Sequence, residues 1–359
     1  MTAEQTRSMA PGKIQELSTW RVLGLAMLSV RFVQGWIYWG GGSRRFIYDP
    51  SKLDPHAASW MANKFQSAMP GALLGLDKVV DFMLRHFDLL YAGVVVFSAV
   101  ELIFGLFLIF GFMTRLSALV TIGLSAVLML LFGWQGATFI DEWTMASAGV
   151  AMGVALFLAG SSAYSIDSWM QKRNPSLAQR GWFQWFGSGP WPLRRLQRWS
   201  VISLVLTVLF VVLSYNEFRG SVITPFHSGP VSPSKHHLSL SAGKLDPDGS
   251  VRFSAYLDAG TPAEPANIVN AVLLNAAGLV IEQWNSAALA ALPRSAFVNT
   301  YAYNQFGPGY AGITAKVGAR ANVHLPPAHA QLNLQTGTYQ LLLHSVNGHV
   351  AQLQIVLTP

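Results

Sequence analysis

The chain is 359 residues long, 52% apolar and only 11% charged, with a net charge of +7, twelve Trp and no Cys. A soluble domain carries about 25% charged residues, so a wholly water-facing molecule is excluded and lipid is implied. The absent thiols exclude disulfides, CxxC redox pairs, thiolate nucleophiles, Cys-bound zinc, Fe–S clusters and covalently attached c-type haem. The positive charge reads as basic loops that fix membrane topology, not as nucleic-acid binding.

A hydrocarbon core about 30 Å thick needs about 20 mostly apolar residues to cross it. Five runs answer to that in chain order: 20–41, broken by Arg31 and Gln34; 89–112, broken by Glu101; 116–133; 143–161; and the shorter 201–215, preceded by Arg194, Arg195 and Arg198. The first run is long enough to span and has no small-residue cleavage site after it, so a cleavable signal peptide is not expected. Between the first two runs lies a mixed loop, 42–88, in which 57–69 and 76–88 read as amphipathic helices lying on the membrane surface or capping the bundle.

Residues 165–198 hold six basic residues against the single carboxylate Asp167, interleaved with Trp182, Trp185 and Trp191. Such a segment reads as interfacial and cytoplasmic. The N-terminus and the turn at Arg115 then share its side, whereas the 42–88 loop, the Asp141–Glu142 turn and everything after Tyr215 lie opposite. The expected location is the cytoplasmic membrane, multi-pass, with the N-terminus inside and the C-terminal domain outside.

After Tyr215 the texture changes. A Gly/Pro/Ser linker at 228–233 precedes seven runs of period-2 patterning: 237–242, 250–258, 270–274, 313–317, 321–324, 337–345 and 349–357. The turn residues at 246–249 and 347–348 punctuate them as hairpin turns do. The expected fold is an α-helical transmembrane bundle of about five helices, a four-helix core plus one, with a C-terminal all-β sandwich-like domain. The expected division is 1–198 for the bundle, 199–233 for the fifth helix and linker, and 234–359 for the β domain.

Ionisable groups in hydrocarbon cost roughly 2.5–3.5 kcal/mol or more and therefore need a reason. Counting from the start of each run places Arg31 and Glu101 near mid-bilayer, and they are expected to pair, as a helix-packing salt bridge or as a proton or anion site. Arg44 and Arg45 close the outer end of the first run as snorkelling charges or an anion patch. Trp36, Trp39, Trp134 and Trp143 gather at this same outer level, as an aromatic belt or as a slot of quinone size. His86 lies near a helix start in the outer loop. The seven His of the C-terminal region, among them the adjacent pair His236 and His237, have no ligand spacing, and no metal site is expected.

Three stretches carry a family resemblance: RFVQGWIYWGGG at 31–42, ELIFGLFLIFGFMTR at 101–115 and ALFLAGSSAYSID at 155–167. Together they resemble the DoxX superfamily of small membrane proteins. The outer loop, with SRRFIYDPSKLDPHA at 43–57, is more narrowly similar to the DoxD subunit of thiosulfate:quinone oxidoreductase. The C-terminal stretch NTYAYNQFGPGYAGITAKVGA at 299–319 resembles the partner subunit DoxA, which makes the chain look like a DoxD–DoxA fusion.

The resemblance implies oxidation of two thiosulfates to tetrathionate with reduction of a membrane quinone to quinol. Quinone is then a co-substrate, and no metal, haem or Fe–S cofactor is expected. Arg44 and Arg45, with Arg31, become candidates for holding thiosulfate; Glu101, Asp141 and Glu142 for passing protons; and Trp36, Trp39, Trp134, Trp143 and His86 for the quinone. A membrane scaffold or an anion transporter remains open on periodicity and charge alone. Gly105 and Gly111 permit close helix contact, and a homodimer is an option on that basis.

Overall fold

The computed structural model describes residues 11–135, 142–226, 236–262, 264–329 and 334–357. Its helices are α1 (Pro11–Ala26), α2 (Leu28–Ser43), α3 (Met61–Ala68), α4 (Leu76–Arg85), α5 (Phe87–Phe110), α6 (Thr114–Phe132), α7 (Glu142–Ala159), α8 (Ile166–Arg173), α9 (Gly181–Trp185), α10 (Leu193–Arg219) and α11 (Ser286–Ala290). Among the described residues α5, α6, α7 and α10 are long and apolar enough to cross a bilayer. The first expected span is instead a bent pair, Thr19–Ala26 and Leu28–Tyr48, meeting at 47°. The molecule is a multi-pass membrane protein.

The chain divides into two compact units, described in turn. The first comprises Met1–Ala57, Tyr91–Gly133 and Ile140–Phe226. Its core packs Leu108 of α5 and Ala118 of α6 against Leu156 and Phe157 of α7 and against Trp191, with Trp185 and Trp199 alongside. The N-terminus of α6 is met by the 165–198 segment, where the Leu116 amide donates to the Phe186 carbonyl at 2.9 Å. The turn at Arg115 and this basic, Trp-rich segment therefore lie together, as the topology requires.

The second unit comprises Ala58–Leu90, Trp134–Phe139 and His227–Pro359. The outer-loop helices α3 and α4 thus belong with the β domain. Amphipathic helices bury their apolar face against whatever offers one, and here the β domain does. The fifth helix, in contrast, belongs to the first unit.

Its strands are β1 (His237–Leu245), β2 (Val251–Ala259), β3 (Ala266–Asn275), β4 (Val280–Trp284), β5 (Phe297–Asn299), β6 (Gly307–Gly309), β7 (Gly312–Ala315), β8 (Arg320–Leu325), β9 (Gly337–Ser345) and β10 (Val350–Leu357). They form two antiparallel sheets, ordered β1-β2-β8-β5 and β10-β9-β3-β7-β6, with β4 also pairing β3. Period-2 burial is clean in β2, where Val251, Phe253, Ala255, Leu257 and Ala259 all point inward. The Asn347–Gly348 turn sets the β9–β10 hairpin with Val350 opposite His344. All seven expected strands are present; β4, β5 and β6 are additional.

Candidate functional site

Two clusters of charge lie in the first unit, and α2 contributes to both. It runs against α5 at very close range. A Cβ at Gly35 would stand 2.7 Å from the Ile109 backbone nitrogen, and one at Gly42 would stand 2.6 Å from that of Leu102. Residues seven apart share a helix face, so these glycines form one smooth face. Gly105 answers from α5, touching the backbone of Trp39. Gly105 and Gly111 serve contacts within the chain, which withdraws the basis on which they suggested a homodimer.

Beyond Ser43 the helix widens into a π-helical turn, Arg44–Tyr48. A π turn holds more residues than an α turn and re-aims the side chains it carries. Arg44 is left exposed. Arg45 turns inward and pairs with Glu101 Oε2; the two side chains are 14% and 6% exposed. The Arg45 guanidinium also donates to Ser98 Oγ at 3.4 Å and lies 5.7 Å from the Phe97 ring centre.

The expected Arg31–Glu101 pair is not formed. The bend at Met27 restarts the helix at Leu28, which puts Arg31 in the first turn of α2. It is fourteen residues from Arg45, about 21 Å along a helix. Arg31 donates to Ser161 Oγ and to the carbonyls of Ala163 (3.3 Å) and Tyr164 (2.7 Å). Its Nε has no partner among the described residues.

Beside it, Asp167 at the start of α8 accepts from the amides of Met113 (2.9 Å) and Thr114 (3.0 Å), from Thr114 Oγ1 (2.9 Å) and from Ser188 Oγ (2.6 Å). A carboxylate across the first amides of α6 satisfies donors that the helix cannot. Burial pushes the Asp167 carboxyl above its ordinary range, against the pull of these bonds. Arg115 donates to the carbonyls of Phe157 (2.8 Å), Gln184 (2.6 Å), Gly189 (2.6 Å) and Leu158 (3.4 Å), and its guanidinium lies 4.3 Å from the Trp191 ring centre. A shallow depression of about 540 Å³ opens next to this cluster between Phe110, Tyr164 and Trp169.

This second cluster was missed as a unit. Its signal was present, because Arg31, Thr114–Arg115 and Ser161–Asp167 are parts of the three stretches that carry the family resemblance. They are far apart in sequence and meet at one end of the bundle.

Of the aromatic candidates, Trp36, Trp39 and Trp143 belong to the first unit, and Trp134 and His86 to the second. Trp36 packs on Trp39 with centroids 4.7 Å apart and on Phe32 at 5.6 Å. Trp143 donates from Nε1 to Ser214 Oγ at 3.1 Å and meets the Tyr215 ring at 5.5 Å. Trp134 is a core residue of the second unit, 1% exposed, donating from Nε1 to the Ala68 carbonyl at 2.8 Å and lying against Gly71. His86, also in the second unit, is exposed and caps α4 through the Phe82 carbonyl at 2.7 Å. An indole both greasy and polar suits a membrane interface and a wet-edged core equally, so composition alone did not separate these. Glu142 stands half-buried in the first turn of α7. Asp141 lies outside the described residues.

Residues 26–188 match the family described as TQO small subunit DoxD, and residues 218–354 match the one described as TQO small subunit DoxA. The chain joins a DoxD family member to a DoxA family member. All three motif stretches of the bundle fall inside the DoxD match, and the Asn299–Ala319 stretch falls inside the DoxA match. In this fusion α1 is cut by the start of the DoxD match, and the DoxA match opens within the last turns of α10.

Proposed function

We infer that this DoxD–DoxA fusion is a thiosulfate:quinone oxidoreductase of the cytoplasmic membrane, with the β domain outside. The observation that carries this reading is the partly buried Arg45–Glu101 pair within a DoxD region that is followed by a DoxA region. Two thiosulfate dianions must be brought together. Unit charges 4 Å apart repel by about 4 kcal/mol at an effective dielectric of 20, and two dianions by fourfold more. A guanidinium fork offsets this because it matches oxyanions in geometry as well as in sign. Arg44 is exposed and Arg45 half-buried on Glu101, so Arg44 receives the anion and Arg45 holds it.

The chemistry consumes two thiosulfates, one quinone and two protons. A sulfane sulfur adds to the quinone. The sulfane sulfur of the second thiosulfate then attacks the first, forming the central S–S bond of tetrathionate. The bond to the quinone breaks with its electron pair, which leaves quinol once both oxygens are protonated. Glu101, ionised while paired with Arg45, is freed as the anion takes Arg45, takes up a proton from water and passes it to one quinone oxygen, and water supplies the second proton. The aromatic face of Phe32, Trp36 and Trp39 on α2 offers the quinone ring a stacking surface.

The test is quinone reduction by detergent-purified protein with and without thiosulfate, with tetrathionate assayed alongside. Reduction that needs thiosulfate and yields one tetrathionate per quinol supports the reading. Folded protein that neither reduces a competent quinone nor consumes thiosulfate overturns it and leaves a membrane scaffold as the better account.

A further inference from the structure

The second unit contains a contact that neither half of the fusion makes alone. Gln66 of α3, in the DoxD region, is fully buried, and Asn304, in the DoxA region, is 5% exposed. The Gln66 amide donates to the carbonyls of Asn304 (2.8 Å) and Gly318 (2.9 Å), and its oxygen accepts from the Asn304 amide at 2.8 Å. Asn304 answers from the other side, donating through Nδ2 to the Asn63 carbonyl at 3.0 Å and to that of Val317 at 2.9 Å. Gln66 thus reads the backbone of Asn304, and Asn304 reads the α3 backbone at Asn63.

The fit is specific. Gly318 has a φ of +84°, and a Cβ there would collide with the Gln66 carbonyl. Nearby, the Tyr301 hydroxyl donates to Asp81 of α4, whose carboxylate also takes Arg85 in a fork at 3.0–3.1 Å. Gln66 is buried with the β domain in place, and its side-chain hydrogen bonds go to that domain. An unsatisfied buried group is costly, whereas a fully satisfied neutral network holds its geometry. These residues are therefore built for a partner.

We propose that the 58–90 loop is the docking element by which a DoxD-type membrane subunit holds a DoxA-type β subunit, and that the peptide linker between them joins two surfaces that bind without it. The loop is continuous at both ends with membrane-unit chain, so a β domain seated on it is tethered three-dimensionally and not by one covalent strand. The same clasp serves where the two families occur as separate subunits. The inference is independent of the reaction proposed above, and its readout involves no activity.

A protease site placed in residues 228–233 of the full-length protein tests this. After cutting in detergent, the C-terminal fragment is expected to co-purify with an N-terminally tagged membrane fragment. Gln66→Ala lies outside the β domain's own sheets and is expected to lower the retained fraction at least ~10-fold, since it orphans three backbone groups. Tyr301→Phe, which keeps the ring, lowers retention less but in the same direction. Uncut controls of each variant report whether it has folded. Release of the wild-type fragment on cutting overturns the proposal. Equal retention by wild type, Gln66→Ala and Tyr301→Phe overturns it as well, because the β domain would then be held by something other than this clasp.

Discussion

Arg115 is buried and Arg45 half-buried in the membrane unit, and their surroundings differ in kind. Arg115 is answered by four backbone carbonyls and a Trp face, and its neighbour Asp167 by two amides and two hydroxyls. Backbone groups neither titrate nor leave, so Arg115 is held for as long as the fold is. Arg45 is answered by Glu101, a titratable group, next to an exposed second arginine. An arriving anion can take Arg45, and an arriving proton can take Glu101. The first arrangement suits joining chain segments; the second suits chemistry.

The largest effect that separates them is on folding. Arg115→Ala strands buried carbonyls at a cost of about 1–3 kcal/mol each, against a total stability of about 5–15 kcal/mol for a typical domain. It is expected to abolish recovery of monodisperse protein, and recovery with a wild-type melting midpoint would deny the closed cluster its structural role. Glu101→Gln should instead fold, because the amide oxygen still accepts from Arg45. Its turnover of quinone is expected to fall by about 10²–10⁴, the usual worth of a positioned acid or base. A turnover within twofold of wild type would move the proton path elsewhere. Smaller again is Arg45→Lys, which keeps the charge and loses the fork. It should raise the thiosulfate KM about tenfold, equivalent to about 1.4 kcal/mol, with kcat little changed; an unaltered KM would remove Arg45 from the anion site.

Much of the contrast is legible in the sequence, and the illegible part has physical causes. The apolar runs are plain because lipid demands length and apolarity from each helix independently. The bend at Met27 is not, since neither Pro nor Gly stands at that position, and the bend sets where Arg31 falls in its helix. Glu101 is visible as a charge in a greasy helix, but its partner depends on a π turn that shifts Arg45 and not Arg44 inward. Strand β6 is Gly-Pro-Gly, a sequence with low strand propensity that is held in place by pairing with β7. Tertiary pairing overrides propensity there. The faces of α3 and α4 announce burial without naming what buries them, because amphipathicity records polarity and not identity.

The smallest expected effect concerns the second unit, which holds a titratable contact of its own. Burial pushes the Asp81 carboxyl up, but hydrogen bonds from Arg85 and Tyr301 outweigh it and hold its pKa below the usual 3.8. Burial, and then the same Asp81 bond, push the Tyr301 phenol up from 10.0 to about 12. The signs give two edges. Asp81 favours the docked state above pH 3.8, and that contribution is lost as pH falls through its lowered value. Tyr301 favours docking fully below pH 10.0, and its share is lost as pH rises towards about 12. Tyr301→Phe removes one hydrogen bond, about 1 kcal/mol, and with it the alkaline edge. Asp81→Asn removes the acid edge. Retention of the cut β fragment measured across pH reads both, and a retention profile in which neither substitution removes its own edge would show that these groups titrate without touching the docking equilibrium.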